Sequence, residues 1–253
     1  MVRVDGQSTG DSLIQVRNLE KKYQRGTEVI DVLSGLNLDI GKGEFIAFMG
    51  PSGSGKTTLL NLLGGLDLPT SGDITIDGDD IPRMSRRKLA AWRSQHVGFI
   101  FQMFNLIPYM TVVENVTLPC LFSDRRRQKV RRNSGGLEDE ALRLLEHLDI
   151  AEPDLLKRPV TELSVGQQQR VAAARALMGS PEILIADEPT SSLDEAHRQA
   201  FIRLLFDECR LNKTTLIFVS HDTSLSTLFD RSVRLGAINT VGRDALNHAE
   251  AVS

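Results

Sequence analysis

The sequence predicts an α/β fold, with a mostly parallel sheet, an N-terminal antiparallel β subdomain and an inserted α-helical subdomain. Three apolar runs carry the parallel sheet: residues 45–49 (FIAFM), 183–186 (ILIA) and 216–219 (LIFV). They are too short for helices and do not alternate, which marks strands covered on both faces. Long stretches with helical patterning separate them, as parallel neighbours require. Before residue 45 the links between apolar runs are brief, so pairing there is expected to be antiparallel.

Residues 1–11 are polar, with Gly and Ser, and read as a flexible tail. Residues 13–16, 29–33 and 36–40 read as short strands. Between the first two, Lys21-Lys22-Tyr23 is expected to form a basic loop with one aromatic side chain. A partly buried edge residue is the plainer reading of Tyr23, but its place ahead of a glycine loop favours stacking on a planar ring.

That glycine loop is the centre of the chain. Gly50, Pro51, Ser52, Gly53, Ser54, Gly55, Lys56 and Thr57 satisfy G-x-x-x-x-G-K-[ST] at every fixed position. Strand 45–49 precedes them, and a helix-favouring segment opens at Thr58, the context the motif requires. The glycines let successive N–H groups face inward around phosphate oxygens, and the helix N-terminus adds partial positive charge. Lys56 can then reach the β- and γ-phosphates, and the Thr57 hydroxyl can ligate Mg²⁺. A nucleoside triphosphate is the expected ligand.

Residues 70–73 read as a turn, 74–76 as a strand, 86–93 as a helix, and 97–101 as a strand ending at Gln102. Residues 103–160 form the expected helical subdomain. Pro108 breaks the chain, 112–118 suits a helix, and 136–150 is amphipathic, with Leu137, Ala141, Leu144, Leu145 and Leu148 on one face. Within it, residues 125–132 (RRRQKVRR) read as a solvated linker or helix face followed by a hinge at 133–136. Contact with anionic lipid or nucleic acid is the sharper alternative, but the chain's formal charge of −3 does not favour it.

Residues 163–169 (LSVGQQQ) lead into an alanine-rich helix with Ser164 at its N-cap, a second possible phosphate site. Strand 183–186 ends in Asp187-Glu188, two carboxylates ill-suited to a core and well suited to metal and water. Alternation is expected to point them apart, Asp187 toward Mg²⁺ and Glu188 toward the γ-phosphate. Strand 216–219 ends near His221, a candidate γ-phosphate contact. In a parallel sheet all three tips meet along one edge, where open α/β sheets bind ligands. Residues 194–197 spell DEAH, a helicase-type signature, but they follow a turn and are assigned to a helix start.

At 253 residues, 41% hydrophobic and 25% charged, the chain suits a globular domain rather than a disordered or membrane-spanning one. No apolar run is long enough to cross a bilayer, and no signal-peptide core is visible. Cys120 and Cys209 form no C-x-x-C pair and read as reduced core thiols.

The ordered set GPSGSGKTT, Gln102, LSVGQ, ILIADE, SSLD and His221 resembles the ATP-binding domain of ABC transporters over about residues 13–235. FNLIPYMTVVENV at 104–116 resembles the subgroup serving lipoprotein release and macrolide export. The resemblance implies a P-loop NTPase (RecA-like) core. It also implies one ATPase domain over 12–236, the helical insertion at about 103–160, and a polar tail over 237–253. It implies a two-fold dimer, taken as a homodimer, with two ATP molecules between subunits. Each ATP would lie on one P-loop under the partner's LSVGQ. Tyr23 would stack on adenine. Gln102 would sense Mg²⁺ and the attacking water, and Asp187 would hold Mg²⁺ with Thr57. Glu188 would be the general base. Ser164, Gly166 and Gln167 would serve the partner's γ-phosphate, Asp194 would cross the interface, and His221 would touch the γ-phosphate. Val165 stands where the usual signature has a second glycine.

The expected function is ATP hydrolysis that powers a separate permease, with this chain docked peripherally on the cytoplasmic face of the cell membrane, and with export or extrusion of lipoprotein or peptide-type cargo. No nucleic acid partner is expected. Two other readings fit the motifs less well. A soluble ABC ATPase acting on nucleic acid or ribosomes usually carries a long coiled coil or tandem domains, and neither is present. A small-molecule kinase would not need LSVGQ.

Overall fold

A computed structural model describes residues 12–150, 152–191 and 193–241. In chain order its elements begin with β1 (Ser12–Arg25), β2 (Glu28–Gly41), β3 (Phe45–Met49), α1 (Lys56–Leu63), β4 (Ser71–Ile76) and β5 (Asp79–Asp80). Next come α2 (Arg86–His96), β6 (Val97–Ile100), α3 (Val112–Thr117), α4 (Pro119–Phe122), α5 (Asp124–Asn133), α6 (Leu137–His147) and α7 (Pro153–Leu156). The last part holds α8 (Val165–Leu177), β7 (Ile183–Asp187), α9 (Glu195–Asn212), β8 (Thr215–Ser220), β9 (Arg231–Arg234) and α10 (Leu235–Ile238).

The expected two-sheet architecture is present. One sheet is parallel throughout, in the order β6-β7-β8-β3-β9, and the other is antiparallel, in the order β2-β1-β4-β5. Alternation divides the parallel strands between two cores. Phe45, Ala47 and Met49 of β3 face the core shared with α8, α9 and the helical insertion. Ile46 and Phe48 face the core closed by α1 and the antiparallel sheet. Strands β7 and β8 divide in the same way, which explains why their sequences read as unbroken apolar runs.

The N-terminal strands differ from the sequence reading. Residues 29–33 and 36–40 belong to one strand, β2, whose register shifts near Gly35, where φ is +60°. A glycine accommodates that turn of the backbone without ending the strand. Lys21, Lys22 and Tyr23 lie within β1, paired with Leu33, Asp31 and Ile30, rather than in a loop. Helix α1 begins at Lys56, before Thr58.

The basic run is also different from expectation. It forms α5, and one face of that helix is buried. Arg126 is 2% exposed. Its guanidinium donates to the main-chain oxygens of Val97 (2.6 Å), Met178 (3.0 Å) and Ala176 (3.4 Å). Burial lowers its pKa to about 10. Arg125 and Lys129 pair with Glu182 at 2.6 and 2.7 Å. Helical spacing thus turns three of these cations toward the sheet while Arg131 and Arg132 stay exposed. Farther on, the apolar face of α6 is buried as the periodicity requires, and Arg143 joins Glu140 (2.8 Å) to the fully buried Glu208 of α9 (2.7 Å).

Gly98 of β6 permits the closest approach between the sheet and α8. A Cβ at that position would lie 2.2 Å from the main-chain oxygen of Ala176. Gly98→Ala must therefore push strand and helix apart, and urea unfolding is expected to show a loss of about 1–3 kcal/mol. Unchanged stability would mean that the two elements are not packed this closely.

Asn239 and Thr240, placed in a polar tail from the sequence, are anchored on β2. Asn239 accepts from Ser34 N (3.0 Å) and donates to Val32 O (2.9 Å), and Thr240 N donates to Ser34 O (3.1 Å). The expected tails over 1–11 and 242–253 lie outside the described residues. Among the described residues no helix is long and apolar enough to cross a membrane.

Candidate active site

The loops after β3, β6, β7 and β8 all leave the same edge of the parallel sheet, and they enclose a cleft of about 540 Å³. Ser52, Gly53, Gly55, Lys56, Thr57 and Thr58 form one wall; Gln102, Asp187, Glu188 and His221 form the other. Four segments widely spaced in sequence meet here because parallel strands bring like ends together.

The glycine loop has the form of an anion cradle. Gly55 caps α1 with φ of +94°, and a Cβ there would lie 3.0 Å from Leu33 Cδ2 and 3.2 Å from Val32 O. Any side chain would both strain the backbone and displace β2. Lys56 is 5% exposed, and its ammonium donates to the main-chain oxygens of Gly50 (2.8 Å) and Pro51 (2.7 Å). Those bonds hold the cation over the loop. Ser54 Oγ is buried with no protein partner among the described residues, a free polar atom beneath a cradle suited to phosphate.

Opposite the cradle, the Thr57 hydroxyl donates to Asp187 Oδ2 at 3.0 Å. Burial raises the Asp187 carboxyl above its ordinary value. The Thr57 bond opposes that shift, the neighbouring Glu188 charge adds to it, and Lys56 offsets part of it. A carboxylate desolvated in this way gains from a cation beside it. No group of three or more His, Cys, Asp or Glu side chains forms a metal cage among the described residues. One hydroxyl and one carboxylate are what Mg²⁺ uses when phosphates and water complete its shell, so these residues fit that ion.

Strand alternation does not separate Asp187 from Glu188 as expected, since both line the cleft. Glu188 has φ of +46°, and its N–H donates to Val219 O at 3.1 Å. This left-handed residue ends β7 and swings the carboxylate back to the same side, at a cost of about 1–2 kcal/mol. The carboxylate then meets His221, with Nδ1 and Oε2 3.3 Å apart. Asp187 faces Thr57 and Glu188 faces His221, so the two acids retain different neighbours.

Five sequence-nominated residues lie away from this cleft. Tyr23 is 39% exposed and donates to Asp67 Oδ2 (2.9 Å), with the Lys21 ammonium 4.8 Å from its ring centre. Ser164 and Gln167 form a reciprocal capping box at the start of α8, with contacts of 3.3 and 2.9 Å. Gly166 lies near Leu193, whose Cδ2 would be 3.8 Å from a Cβ at 166. Asp194 caps α9, accepting from His197 N at 3.0 Å, so the DEAH letters do begin a helix. None of these lines the cleft of its own chain.

Val32 lines the cleft, and no sequence signal indicated it. It gets there through the β2 register, which only the fold fixes. No sequence signal marks Arg198 or Asp222 either, although Asp222 directly follows His221.

A glycine-rich cradle with the shape for phosphate, a hydroxyl–carboxylate pair whose chemistry suits a divalent cation and a carboxylate beside a histidine are the features of a P-loop nucleoside-triphosphate hydrolase. Comparison with known proteins narrows this. The family model described as ABC transporter matches residues 33–191, and the chain belongs to that family as its ATP-binding, ATP-hydrolysing part. The macrolide export ATP-binding/permease protein MacB of Rhodopirellula baltica is 44% identical over 88% of this chain, which spans 32% of that relative. The lipoprotein-releasing system ATP-binding protein LolD of Porphyromonas gingivalis is 40% identical, covering 88% of this chain and 96% of the relative. The ABC transporter ATP-binding protein YknY of Bacillus subtilis is 39% identical, with 90% and 95% covered. Among solved structures, the ATP-binding cassette MJ0796, as a dimer in a post-hydrolysis state bound to ADP and Pi, superposes with a TM-score of 0.78. It is 37% identical over 88% of this chain and 95% of that one.

Proposed function

We propose that two copies of this chain close around two ATP molecules with Mg²⁺ and drive a membrane permease from its cytoplasmic face. One observation carries the reading. Lys56, Thr57, Gln102, Asp187, Glu188 and His221 share a cleft, whereas the exposed Ser164 and Asp194 and the half-buried Gly166 and Gln167 lie outside it. A second copy can bring these residues over the cleft, which supports a two-fold dimer with composite sites. The dimeric MJ0796 cassette and the names of the LolD and YknY relatives support the same reading. The similarity to LolD and MacB favours export or lipoprotein-type extrusion as the work done.

In this mechanism the P-loop N–H groups and Lys56 bind the β- and γ-phosphates, and Tyr23 packs on the adenine. Thr57 and Asp187 would hold Mg²⁺, with Gln102 at the same position, and the ion supplies charge neutralisation on the phosphates. Glu188 takes the proton of the attacking water. His221 orients Glu188 and contacts the γ-phosphate. The partner's Ser164 side of the dimer excludes water and holds the closed state, so ATP favours closure and product release favours opening.

The test is complementation. Lys56→Ala spoils the cradle, and Ser164→Arg spoils the surface offered to the partner. Each variant alone is expected to lose ATP turnover, while mixing the two restores it, since the mixed dimer keeps one intact composite site. A mixture as inactive as its parts would sink the shared site. Copurification with nucleic acid or ribosomes instead of a multi-span membrane protein would remove the permease from the proposal.

A further inference from the structure

Arg198 lies outside the cradle and the metal pair, yet it joins the two loops that carry the proton-handling groups. It sits in the first turn of α9. Its guanidinium donates to Asp222 Oδ2 at 2.5 Å and reaches Leu193 O at 3.4 Å. Asp222 is held in turn: its other oxygen accepts from Ser224 N (2.9 Å) and Ser224 Oγ (2.6 Å), and its own N–H donates to Ser220 Oγ (3.0 Å). Arg198 is therefore fixed at both ends.

The contacts make a closed ring. From Glu188 the chain turns through Ser191 N→Glu188 O (3.2 Å) and Leu193 N→Thr190 O (3.2 Å). Arg198 then bridges Leu193 O to Asp222, the neighbour of His221, and His221 returns to Glu188 at 3.3 Å. A cavity of about 290 Å³ lies inside this ring, lined by Glu188, Thr190, Arg198, Ser220, His221 and Asp222. Among the described residues, Glu188 N donates to Val219 O (3.1 Å) at the base of the two loops, and beyond that base the Arg198 bridge and the His221–Glu188 contact (3.3 Å) join them. An arginine suits the task because its planar fork serves a carboxylate and a carbonyl together.

We propose that Arg198 is a positioning residue for ATP hydrolysis: through Asp222 and Leu193 it sets His221 and the Asp194 loop relative to Glu188. The inference rests on the roles given above to Glu188 and His221. Arg198 does not line the cleft that holds the cradle and the Thr57–Asp187 pair, so its loss acts on turnover and leaves nucleotide capture intact. A displacement near 1 Å at a reacting group can cost about 10²-fold in rate.

The experiment measures kcat, KM and nucleotide binding for Arg198→Met, Arg198→Lys, Asp222→Asn and the Arg198→Met/Asp222→Asn pair, with Glu195→Ala and Glu188→Gln as references. Arg198→Met and Asp222→Asn are each expected to lower kcat by about 10–100-fold while ATP affinity stays within about threefold. The double variant is expected to be no slower than the worse single, since both remove one link. Arg198→Lys should recover part of the rate, and Glu195→Ala, which removes the exposed contacts of Glu195 with Arg198 (3.0 Å) and Gln199 (2.6 Å) but leaves the Arg198–Asp222 bond in place, should match wild type. Wild-type kcat in Asp222→Asn, or additive losses in the pair, would overturn the proposal even if Arg198→Met fails to fold. If Glu188→Gln also keeps full turnover, it is the assignment of the base that fails. Loss in Glu188→Gln with none in Asp222→Asn refutes the role of Arg198 alone.

Discussion

Glu188→Gln is expected to bind ATP as wild type does and to lose turnover by about 10²–10⁴-fold, the usual worth of a placed general base. The substitution keeps the shape of the side chain and a partner for His221 Nδ1, now 3.3 Å from Oε2. It leaves the cradle of Gly50–Thr57 untouched. What it removes is an oxygen basic enough to take a proton from water. With hydrolysis blocked and binding intact, the ATP-favoured closed dimer should accumulate, visible as a doubled mass in the presence of Mg²⁺ and ATP. Phosphate release at the wild-type rate would show that another group takes the proton. Loss of binding would show that the effect lies in the fold of the β7 tip, where Glu188 already holds φ of +46°.

Arg126→Met should be the costliest surface-coded change in the helical insertion, although the run RRRQKVRR gives no hint that one of its members is special. The substitution leaves the carbonyls of Val97, Met178 and Ala176 without their guanidinium. Buried acceptors stripped of a charged donor cost about 1–3 kcal/mol each, less what the removal of a desolvated charge returns. A net loss of about 2–4 kcal/mol is expected in urea unfolding. Arg132→Met, on the exposed side of the same helix, should change stability by less than about 0.5 kcal/mol. Equal effects at both positions would mean that α5 is not seated on β6 and α8. The contact also bears on mechanism: Arg126 and the Glu182 cluster fasten α5 to the parallel sheet, so this helix should follow the sheet in any movement of the insertion.

The chemistry of the site was largely legible in the sequence, because it depends on residue types at short spacing. G-x-x-x-x-G-K-[ST] dictates its own backbone, since Gly55 at φ of +94° has no room for a side chain. Apolar runs such as FIAFM can be satisfied only between two cores, which fixes a parallel sheet and makes Lys56, Asp187 and His221 neighbours. Ser164 and Gln167 likewise announced their helix start through local spacing.

Local pattern could not decide what depends on register or on partners far along the chain. Lys21 to Tyr23 looked like a loop because their polarity hid an antiparallel pairing with β2. Alternation alone points Glu188 away from Asp187, whereas a single left-handed residue at the strand end brings both carboxylates into one cleft. Arg126 looked solvated because the carbonyls that receive it lie 29 to 52 residues away. The sequence by itself determined the chemistry, through motifs whose geometry is local. Only the tertiary structure decided which charges are buried and how the catalytic loops are joined, since both depend on contacts between segments that are distant in sequence.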